Sequence, residues 1–563
     1  FSQLILKKFQ SIGCAKLFSV SSTSWSQSER LENFRERLAN EEATLPPPPS
    51  VSSHFTQQSP PLAANMTRTI SAPRRFHIES YGCQMNLSDT EIVRAILKKG
   101  GFEEANRSEQ ADVVLLNTCA IRENAEQRIW SKLEHLKHKK LKRQRNKHQH
   151  PLQVGILGCM AERLKEKILE SDKLVDLVVG PDAYRSLPSL LSSIEDGADH
   201  QTAMNVLLSA DETYADITPV RDANNQVSAF VSIMRGCNNM CAYCIVPFTR
   251  GRERSRLVSS IEDEVRLLRD QGYKEMVLLG QNVNSYNDLN TPATHKYANT
   301  PTQADGFRSI VKVPSGGTRF AELLDRISTL APEMRIRFTS PHPKDFPDDV
   351  FHLAAERTNI CNAFHMPAQS GSSNTLKAMR RGHTRQAYLA LIERLREIVP
   401  NATISSDFIS GFCGETEQDH QDTLSLLREV QFDQAFMFAY SLREKTHAHR
   451  KLQDDVPEQT KQRRLREVID LFYSLLKQKN AALIGSEHIV LVDGPSKRSH
   501  QLMAGRSDTN HRVVFNNTYP QLESDNNTPI EKGEWIKAKI VQSNGPTLIG
   551  IPLYRTNIFG HQL

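Results

Sequence analysis

The densest group of candidate metal ligands is a cysteine triplet near the middle of the chain. Cys237, Cys241 and Cys244 have the spacing Cys-x3-Cys-x2-Cys and follow an apolar run that predicts a β-strand. Three thiolates on one short loop can bind three irons of a cubane iron–sulfur cluster, which leaves the fourth iron open. A structural zinc site is the alternative, but zinc usually takes four ligands, with Cys pairs separated by a longer span. The spacing therefore favours a cluster.

Three further cysteines are far apart in the sequence but share one structural context. Cys83, Cys119 and Cys159 each follow a run that predicts a strand. The carboxyl ends of parallel strands lie along one edge of a sheet, where α/β folds bind ligands, so one interpretation is that these thiols converge there and hold a second cluster. The alternative is three ordinary buried thiols, because free cysteine is often a core residue. Placement alone leaves both open.

The segments around these dispersed cysteines alternate between predicted strands and helices. Such alternation predicts a parallel α/β sheet. Asp89 is expected to cap the first helix, because a carboxylate accepts hydrogen bonds from the free N–H groups at a helix start. The predicted strands are Phe76–Tyr81, Asp112–Asn117, Gln153–Leu157 and Leu174–Val179, and the predicted helices are Asp89–Lys99, Arg122–Lys137 and Ala161–Leu169.

The alternation repeats between about residues 227 and 475. Six strand–helix units predict a partial (β/α) barrel, in which functional groups lie at the carboxyl ends of the strands. The segment Asp288–Thr318, rich in Asn, Thr, Pro and Gly, predicts a long inserted loop. The predicted strands are Ala229–Met234, Glu275–Leu279, Arg335–Thr339, Ala363–Met366, Thr403–Ile409 and Ala435–Tyr440.

After residue 483, short predicted strands follow one another without helices, which predicts a small β-barrel. These strands are His488–Val492, Arg512–Phe515, Trp535–Val541 and Leu548–Leu553. The fold class is therefore α/β, with an N-terminal parallel α/β domain, a central partial (β/α)6 barrel and a C-terminal β-barrel. A transit-like and disordered segment is expected at residues 1–73. The three domains are expected at residues 74–200, 225–480 and 481–556, in that order.

The composition is that of a globular protein with a mild excess of positive charge. The 563 residues are 38% hydrophobic and 24% charged, with a net charge of +6. This balance allows a nucleic-acid partner without requiring one. No stretch reaches the roughly 18 apolar residues of a membrane span, so no membrane partner is expected. Nine cysteines in so long a chain favour metal ligation in a reducing compartment over disulfides.

The first 28 residues contain no Asp or Glu, three Lys and eight Ser, which is typical of a mitochondrial transit peptide except that Arg is absent. The alternative is a disordered tail, and Cys14 within it has no inferred role. Because residue 1 is Phe, we expect the chain to begin further upstream. Residues 30–73, with four consecutive prolines at 46–49, are predicted to be linker.

Several motifs resemble a known enzyme family. Arg235–Cys244 resembles the signature of the radical S-adenosylmethionine (SAM) superfamily, in which an aromatic residue, here Tyr243, precedes the third cysteine. The surroundings of the dispersed cysteines resemble the N-terminal domain of radical SAM methylthiotransferases. The matching stretches are Tyr81–Asn86, Asn117–Glu123 and Gly158–Arg163, followed by Leu278–Tyr286, Thr339–Pro343 and Gly411–Thr416.

Finer matches favour one branch of that family. Gly280–Tyr286 is similar to the MiaB-type branch, which acts on N6-isopentenyladenosine beside the tRNA anticodon. Arg335–Pro347 and Val246–Arg256 resemble its animal mitochondrial members. Gly505–Asp508 and Val513–Phe515 resemble the TRAM module, an RNA-binding unit. The resemblance thus implies a mitochondrial matrix enzyme with a TRAM-like C-terminal barrel.

The resemblance also implies two 4Fe–4S clusters and SAM as cofactors. The catalytic, SAM-binding cluster would be held by Cys237, Cys241 and Cys244, and the auxiliary cluster by Cys83, Cys119 and Cys159. In the family mechanism, SAM is cleaved to methionine and a 5′-deoxyadenosyl radical, which removes hydrogen from carbon 2 of the adenine. Methylated sulfur associated with the auxiliary cluster is then delivered to that carbon. The implied activity is that of a tRNA-2-methylthio-N6-isopentenyladenosine synthase.

Residues near the strand ends are candidates for contact with SAM. Tyr243 is expected near the adenine, and Gln281, Ser340 and Asp407 are further candidates, for which a purely structural role is the alternative. Isolated histidines and cysteines are more often packed than catalytic, so a second group is expected to be structural. This group is His365, His383, Cys361 and Cys413.

Two basic segments are candidates for contact with RNA phosphates. Arg250, Arg252, Arg254 and Arg256 follow the cysteine triplet and would hold the anticodon backbone at the barrel mouth; internal ion pairing, for example with Glu253 or Glu262, is the alternative. The basic run 137–150 is either a solvated extension of a helix or a phosphate-binding arm.

The expected partners follow from the implied activity. They are the tRNA anticodon stem-loop, an electron donor such as a ferredoxin or flavoprotein, and a kinase regulatory subunit as an additional partner. Methylthiolation of another substrate, either a different modified adenosine or a protein side chain, is one alternative function. A kinase-regulatory binding protein is the other, although binding alone gives no reason for two sets of three cysteines.

Overall fold

The computed structural model describes most of the chain after residue 72. The described ranges are 73–120, 123–145, 151–171, 175–196, 203–209, 211–221, 227–297, 303–309, 316–519 and 529–562. The transit-like segment expected at 1–73 lies outside these ranges except for Pro73. Residues Ala72–Leu563 form one compact unit. In its described part, no helix is long and apolar enough to cross a bilayer.

The N-terminal domain is built on the predicted parallel sheet. Its strands are β1 (Arg75–Tyr81), β2 (Glu103–Glu104), β3 (Val113–Thr118), β4 (Gln153–Gly158), β5 (Leu177–Val179) and β6 (Ala203–Asn205), and its helices are α1 (Gln84–Lys99), α2 (Glu123–Gln144), α3 (Cys159–Leu164), α4 (Glu166–Leu169) and α5 (Leu187–Asp196). Within the described ranges, the strands pair in parallel in the order β2-β1-β3-β4-β5-β6. Strands β3 and β4 are buried at every residue, because helices cover both faces of such a sheet.

The prediction that Asp89 caps the first helix is wrong. The helix begins at Gln84, directly after Cys83, and Asp89 lies inside it with a fully buried side chain. Arg235 Nη1 lies 2.9 Å from one carboxylate oxygen of Asp89, and Arg250 Nη1 lies 2.7 Å from the other. A buried carboxylate needs such compensation, because burial of an unpaired charge is costly. Asp89 therefore joins the N-terminal domain to the central one.

The central domain contains the strands expected for a partial barrel. Its strands are β7 (Ser228–Ser232), β8 (Met234–Arg235), β9 (Arg254–Ser255), β10 (Glu275–Leu279), β11 (Asn287–Asp288), β12 (Thr318–Arg319), β13 (Arg335–Phe338), β14 (Ala363–His365), β15 (Thr403–Ser410) and β16 (Gln434–Ala439). In the described part of this domain, β7, β10 and β13 form one parallel sheet and β14, β15 and β16 another. The two sheets adjoin where Ile336 pairs in parallel with Ile360, as expected for a partial barrel.

Helices surround these strands and close the apolar core. They are α6 (Val246–Thr249), α7 (Val258–Asp270), α8 (Phe320–Leu330), α9 (Asp348–Glu356), α10 (Ser373–Ala378), α11 (Arg385–Ile398), α12 (Glu417–Val430), α13 (His447–Lys451) and α14 (Glu458–Ala481). Aromatic rings fill the space between the strands and α9, with Phe338, Phe346 and Phe364 in mutual contact. The inserted loop expected at 288–318 is described only in part, and its ends pair as β11 and β12.

The C-terminal domain is a closed β-barrel, as predicted. Its strands are β17 (Glu487–Ser496), β18 (Ser499–Ser507), β19 (Arg512–Asn516), β20 (Trp535–Asn544) and β21 (Thr547–Thr556). Among the described residues, these strands close in the order β17-β18-β19-β21-β20. Strand β18 was not among the predicted strands, because its mixture of polar residues, Met503 and Gly505 lacks the alternation of a half-buried strand.

The C-terminal barrel docks at the amino ends of the central strands through residues 506–511. Thr403, the first residue of β15, donates its Oγ1 hydrogen to the Thr509 carbonyl at 2.9 Å. Gln434, the first residue of β16, donates from Nε2 to the Asn510 carbonyl at 3.2 Å. The central cysteine triplet follows strands at their opposite, carboxyl ends, so the two features lie at opposite ends of the central barrel.

Candidate active site

The first cysteine trio lies on a loop that follows β8 at the carboxyl end of the central barrel. The first trio is Cys237, Cys241 and Cys244. The loop is fixed by its own backbone, since the Cys237 amide donates to the Gly251 carbonyl at 3.2 Å. Gly236 has a φ of +76°, and a β-carbon at this position would lie 1.9 Å from the Arg252 carbonyl oxygen. Only glycine therefore allows the two segments to approach so closely.

The thiols of the first trio influence one another's ionisation. Burial raises the pKa of the Cys237 thiol well above its usual value, and the charges of Cys244 and Cys241 raise it further. Burial also raises the pKa of Cys244 to about 12, again with a contribution from Cys241. Three buried thiols this close ionise together only when cations compensate their charge. The irons of a cluster supply that compensation, so this set of donors fits an iron–sulfur cluster.

Arg381 is a functional candidate that the sequence analysis missed. Its Nη1 lies 3.5 Å from the Cys241 sulfur and 3.4 Å from the Tyr243 hydroxyl, while Nη2 donates to the Pro367 carbonyl at 2.8 Å. The side chain is buried and follows α10 in the chain. It places a fixed positive charge beside the thiols. No local spacing relates Arg381 to Cys241, so only the tertiary structure identifies it.

The second cysteine trio lies along the carboxyl edge of the N-terminal sheet. The second trio is Cys83, Cys119 and Cys159. These cysteines follow the adjacent strands β1, β3 and β4, whose register pairs Tyr81 with Thr118 and Thr118 with Gly158. Each cysteine comes one or two residues after these paired positions, so the three stand at the same level of the sheet. A β-carbon at Gly82 would lie 2.6 Å from the Cys119 β-carbon, so Gly82 allows the loops to approach closely.

Electrostatic contacts show that the thiols of the second trio are neighbours. A hydrogen bond with Cys119 lowers the pKa of the Cys83 thiol to about 6, against the opposing effect of burial, and Arg250 lowers it further. Burial raises the pKa of Cys159, Arg250 opposes this shift, and the charge of Cys83 adds to it. The expected convergence at one sheet edge therefore occurs, and the donor set fits a second cluster.

The two trios stand on segments that contact each other. Ile245, directly after Cys244, packs in one apolar cluster with Cys159 and with Ala120, directly after Cys119. Arg250, five positions further along the same segment, donates from Nε to the Cys159 sulfur at 3.1 Å. A single stretch of chain therefore carries part of the first trio and touches the second.

The four residues expected to contact SAM occupy three different positions. Tyr243 lies against Arg381, and burial raises the pKa of its hydroxyl well above the usual value, with a smaller contribution from Asp407. Asp407 also lies 3.5 Å from His365, so these residues share one wall of the site. Gln281 instead accepts a hydrogen bond from the Gly236 amide and supports the cysteine loop. Ser340 is exposed, with a φ of +59°.

The basic segment expected to bind RNA is largely engaged within the protein. Arg250 contacts Asp89 and Cys159, and Arg254 pairs with Asp182 at 2.8 Å; both arginines are buried. Arg256 pairs with Glu264, and Arg252 is exposed. The structure thus favours the internal ion-pairing alternative for three of the four arginines, with Asp89, Asp182 and Glu264 as partners in place of the examples Glu253 and Glu262.

The other basic run is a helix extension in its described part. Helix α2 continues to Gln144, and Lys139, Lys140 and Arg143 within the run each form ion pairs with carboxylates of the same domain. Residues 146–150 of the run lie outside the described ranges. The described part is therefore a helix extension whose cations pair with carboxylates, and Lys140 is buried rather than solvated.

Comparison with known proteins agrees with this geometry. Residues 75–180 match the model of the uncharacterized protein family UPF0004, and residues 231–427 match the radical SAM superfamily. The chain is 50% identical to the mitochondrial tRNA methylthiotransferase CDK5RAP1 of Mus musculus, over 97% of this chain and 94% of that protein. It is 49% identical to a CDK5RAP1-like protein of Caenorhabditis elegans, over 83% of each chain.

A bacterial relative is equally similar. The tRNA-2-methylthio-N(6)-dimethylallyladenosine synthase of Chloroherpeton thalassium is 49% identical, over 87% of this chain and 98% of that protein. The matched regions include both cysteine trios, and identity near one half extends over nearly the full length of these relatives. The chain therefore belongs to the radical SAM tRNA methylthiotransferase family.

Proposed function

We propose that this chain adds a methylthio group to carbon 2 of N6-isopentenyladenosine beside the anticodon of mitochondrial tRNAs. Its similarity to a mitochondrial tRNA methylthiotransferase and to a tRNA-2-methylthio-N(6)-dimethylallyladenosine synthase supports the reaction and the compartment. The single observation that carries the proposal is the contact between the segments of the two cysteine trios through Ile245, Arg250 and Cys159. A reaction that needs a radical and a sulfur donor at one base requires two such centres side by side.

Each trio is proposed to hold one 4Fe–4S cluster. Cys237, Cys241 and Cys244 would hold the cluster that binds SAM, and Cys83, Cys119 and Cys159 the auxiliary cluster. When bound, these cofactors supply the bond cleavage and the sulfur, while the protein supplies binding, orientation and exclusion of water. Gly236 and Gly82 let the supporting backbones approach closely, and the buried guanidiniums of Arg381 and Arg250 place positive charge beside the sulfur ligands.

Binding of SAM is assigned to the wall formed by Tyr243, Arg381 and Asp407. The aromatic ring of Tyr243 would pack on the adenine, and the Asp407 carboxylate would accept hydrogen bonds from the ribose or the amino group. Gln281 acts through the backbone of the cysteine loop, because its amide oxygen accepts from Gly236. Ser340 would contribute at the exposed rim.

Substrate RNA is proposed to approach the same rim. An anticodon base lies in a loop and can be turned outward without breaking a duplex. Arg252, the exposed member of the basic segment, would contact a backbone phosphate there. The C-terminal barrel, which resembles a TRAM module, would bind a more distant part of the tRNA, because it docks at the opposite end of the central strands.

The remaining partners follow from this chemistry. A ferredoxin or flavoprotein of the mitochondrial matrix would supply the electron that starts SAM cleavage. A kinase regulatory subunit would be an additional partner, since two convergent sets of thiols have no role in binding alone.

The activity can be tested with the full chain prepared without oxygen and reconstituted with iron and sulfide. With SAM, a reductant and isopentenylated tRNA, nucleoside mass spectrometry should show the methylthio product. A variant with Cys83, Cys119 and Cys159 all changed to Ala should still cleave SAM but form no methylthio product. Cleavage of SAM without any tRNA product by the unchanged chain would point to another substrate, and a chain that binds no iron would refute the assignment.

A further inference from the structure

Arg250 occupies a place that its sequence context does not suggest. It follows the first cysteine trio and α6, yet its side chain is buried, with 2% of its surface exposed, and reaches the second trio. Its Nε donates to the Cys159 sulfur at 3.1 Å. Its Nη1 forms an ion pair with Asp89 at 2.7 Å. The guanidinium is therefore fixed at two points, one carboxylate and one thiol.

The charge of Arg250 is only partly compensated by its neighbours. Asp89 is shared with Arg235, whose Nη1 lies 2.9 Å from the other carboxylate oxygen. Within the described residues, Arg250 Nη2 is buried without a hydrogen-bond partner. A guanidinium remains protonated at any working pH. Held in this way, it places a positive charge and an unused N–H donor beside the groups of the second trio.

Hydrogen bonds to cysteine sulfur and nearby positive charge are general means by which a protein tunes an iron–sulfur cluster. Reduction adds one negative charge to a cluster. A fixed cation beside the ligands therefore stabilises the reduced form more than the oxidised form and raises the reduction potential.

We propose that Arg250 is a positioning residue for the auxiliary cluster: anchored by Asp89, its guanidinium holds Cys159 and raises the reduction potential of the cluster bound by Cys83, Cys119 and Cys159. This inference rests on the proposed function, because it assumes a cluster at the second trio. It also means that the segment after the first trio supports the second cluster. A displacement of this segment, for example on binding of SAM, would then change the environment of both centres.

The test uses the full chain with Cys237, Cys241 and Cys244 changed to Ala, so that the auxiliary cluster is the only one expected. This parent protein should bind about four irons, and a redox titration followed by electron paramagnetic resonance gives its midpoint potential. Arg250→Gln in this background should shift the midpoint to a more negative value at unchanged iron content. Lys99→Gln is the matched control, since it removes an exposed charge from the end of α1, the helix that carries Asp89, and should leave the midpoint unchanged.

A conservative variant separates tuning from folding. Arg250→Lys keeps the charge but cannot span Asp89 and Cys159 with a rigid fork, so its midpoint should fall between those of the parent and Arg250→Gln. If Arg250→Gln does not fold, the midpoint potential of Arg250→Lys is compared with that of the parent. An unshifted midpoint in Arg250→Lys then overturns the inference. Equal midpoints in the parent and Arg250→Gln also overturn it, even when the variant is less stable. A parent that binds no iron overturns the auxiliary-cluster assignment itself, a result distinct from an unshifted potential.

Discussion

At the scale of single residues, Arg381 is the side chain whose loss should most directly weaken the first cysteine trio. It places a buried guanidinium 3.5 Å from the Cys241 sulfur and 3.4 Å from the Tyr243 hydroxyl. Changes to groups that support metal ligands typically cost 10–100-fold in metal affinity or activity. Arg381→Gln should therefore reduce SAM cleavage by roughly 10–100-fold, measured as release of 5′-deoxyadenosine by the reconstituted enzyme.

Lys377→Gln is a suitable control for this prediction, because Lys377 is an exposed cation on α10 of the same region. It should cleave SAM at the normal rate. Iron content and urea midpoint, measured on both variants, distinguish loss of the cluster or of the fold from loss of the reaction. Unimpaired SAM cleavage by Arg381→Gln would show that its contacts with Cys241 and Tyr243 do not matter.

At the scale of elements, the junction between α1 and the segments that flank the first trio depends on one buried carboxylate. Asp89→Asn keeps the shape of the side chain but leaves Arg235 and Arg250 without their shared anion. Breaking a buried pair in this way typically costs about 3–5 kcal/mol. We expect a clear fall in the urea midpoint of unfolding.

Asp263→Asn, at a solvent-exposed pair with Arg266, should change stability by less than about 1 kcal/mol. Similar midpoints for the two variants would contradict a structural role for the buried network.

The same element shows what the sequence could and could not predict. The spacing of the first trio and the strand preceding each cysteine of the second trio are local patterns, so the clusters, the sheet and the partial barrel were predictable. Asp89 is a different case, because the two arginines that pair with it are more than a hundred positions away. Its position among Met85, Ile92 and Ile96 on the buried face of α1 is nevertheless a usable signal, since a charge on an apolar face implies a buried partner.

The basic segment after the first trio left phosphate binding and internal ion pairing open as alternatives, because its local pattern is the same for both. A run of alternating arginines looks alike whether the side chains contact phosphates or carboxylates. Asp89 and Asp182 lie far from the run in the sequence, whereas Glu264 is only eight positions from Arg256. The contact of Arg381 with Cys241 and the register of β18 likewise depend on how distant segments pack. Local pattern identified the candidate ligands here, and tertiary structure identified the charges around them.

At the scale of the whole molecule, the C-terminal barrel lies at the amino ends of the central strands, opposite the first cysteine trio. Arg337, at β13, donates to the carbonyls of Ser507 and Asp508 at 2.7 and 3.0 Å, and its Nε pairs with Glu275 at 2.7 Å. Arg337→Ala removes these contacts and leaves a buried carboxylate unpaired, which should loosen the barrel from the central strands. Hydrogen exchange should then rise in β18 and β19, while the cysteine loops at the opposite end remain protected.

This arrangement predicts a separation of kinetic constants. If the C-terminal barrel holds a distant part of the tRNA, its loosening removes binding energy that is equal in the ground state and the transition state. The KM for tRNA should then rise by roughly tenfold, a change of about 1.4 kcal/mol, while kcat stays within about twofold. SAM cleavage without tRNA should be unaffected. Arg326→Ala, which removes a partly exposed arginine of α8 paired with Glu262 on the outside of the central barrel, should alter neither constant. A fall in kcat for Arg337→Ala with unchanged KM would mean that the barrel acts on the reaction centre rather than on tRNA binding.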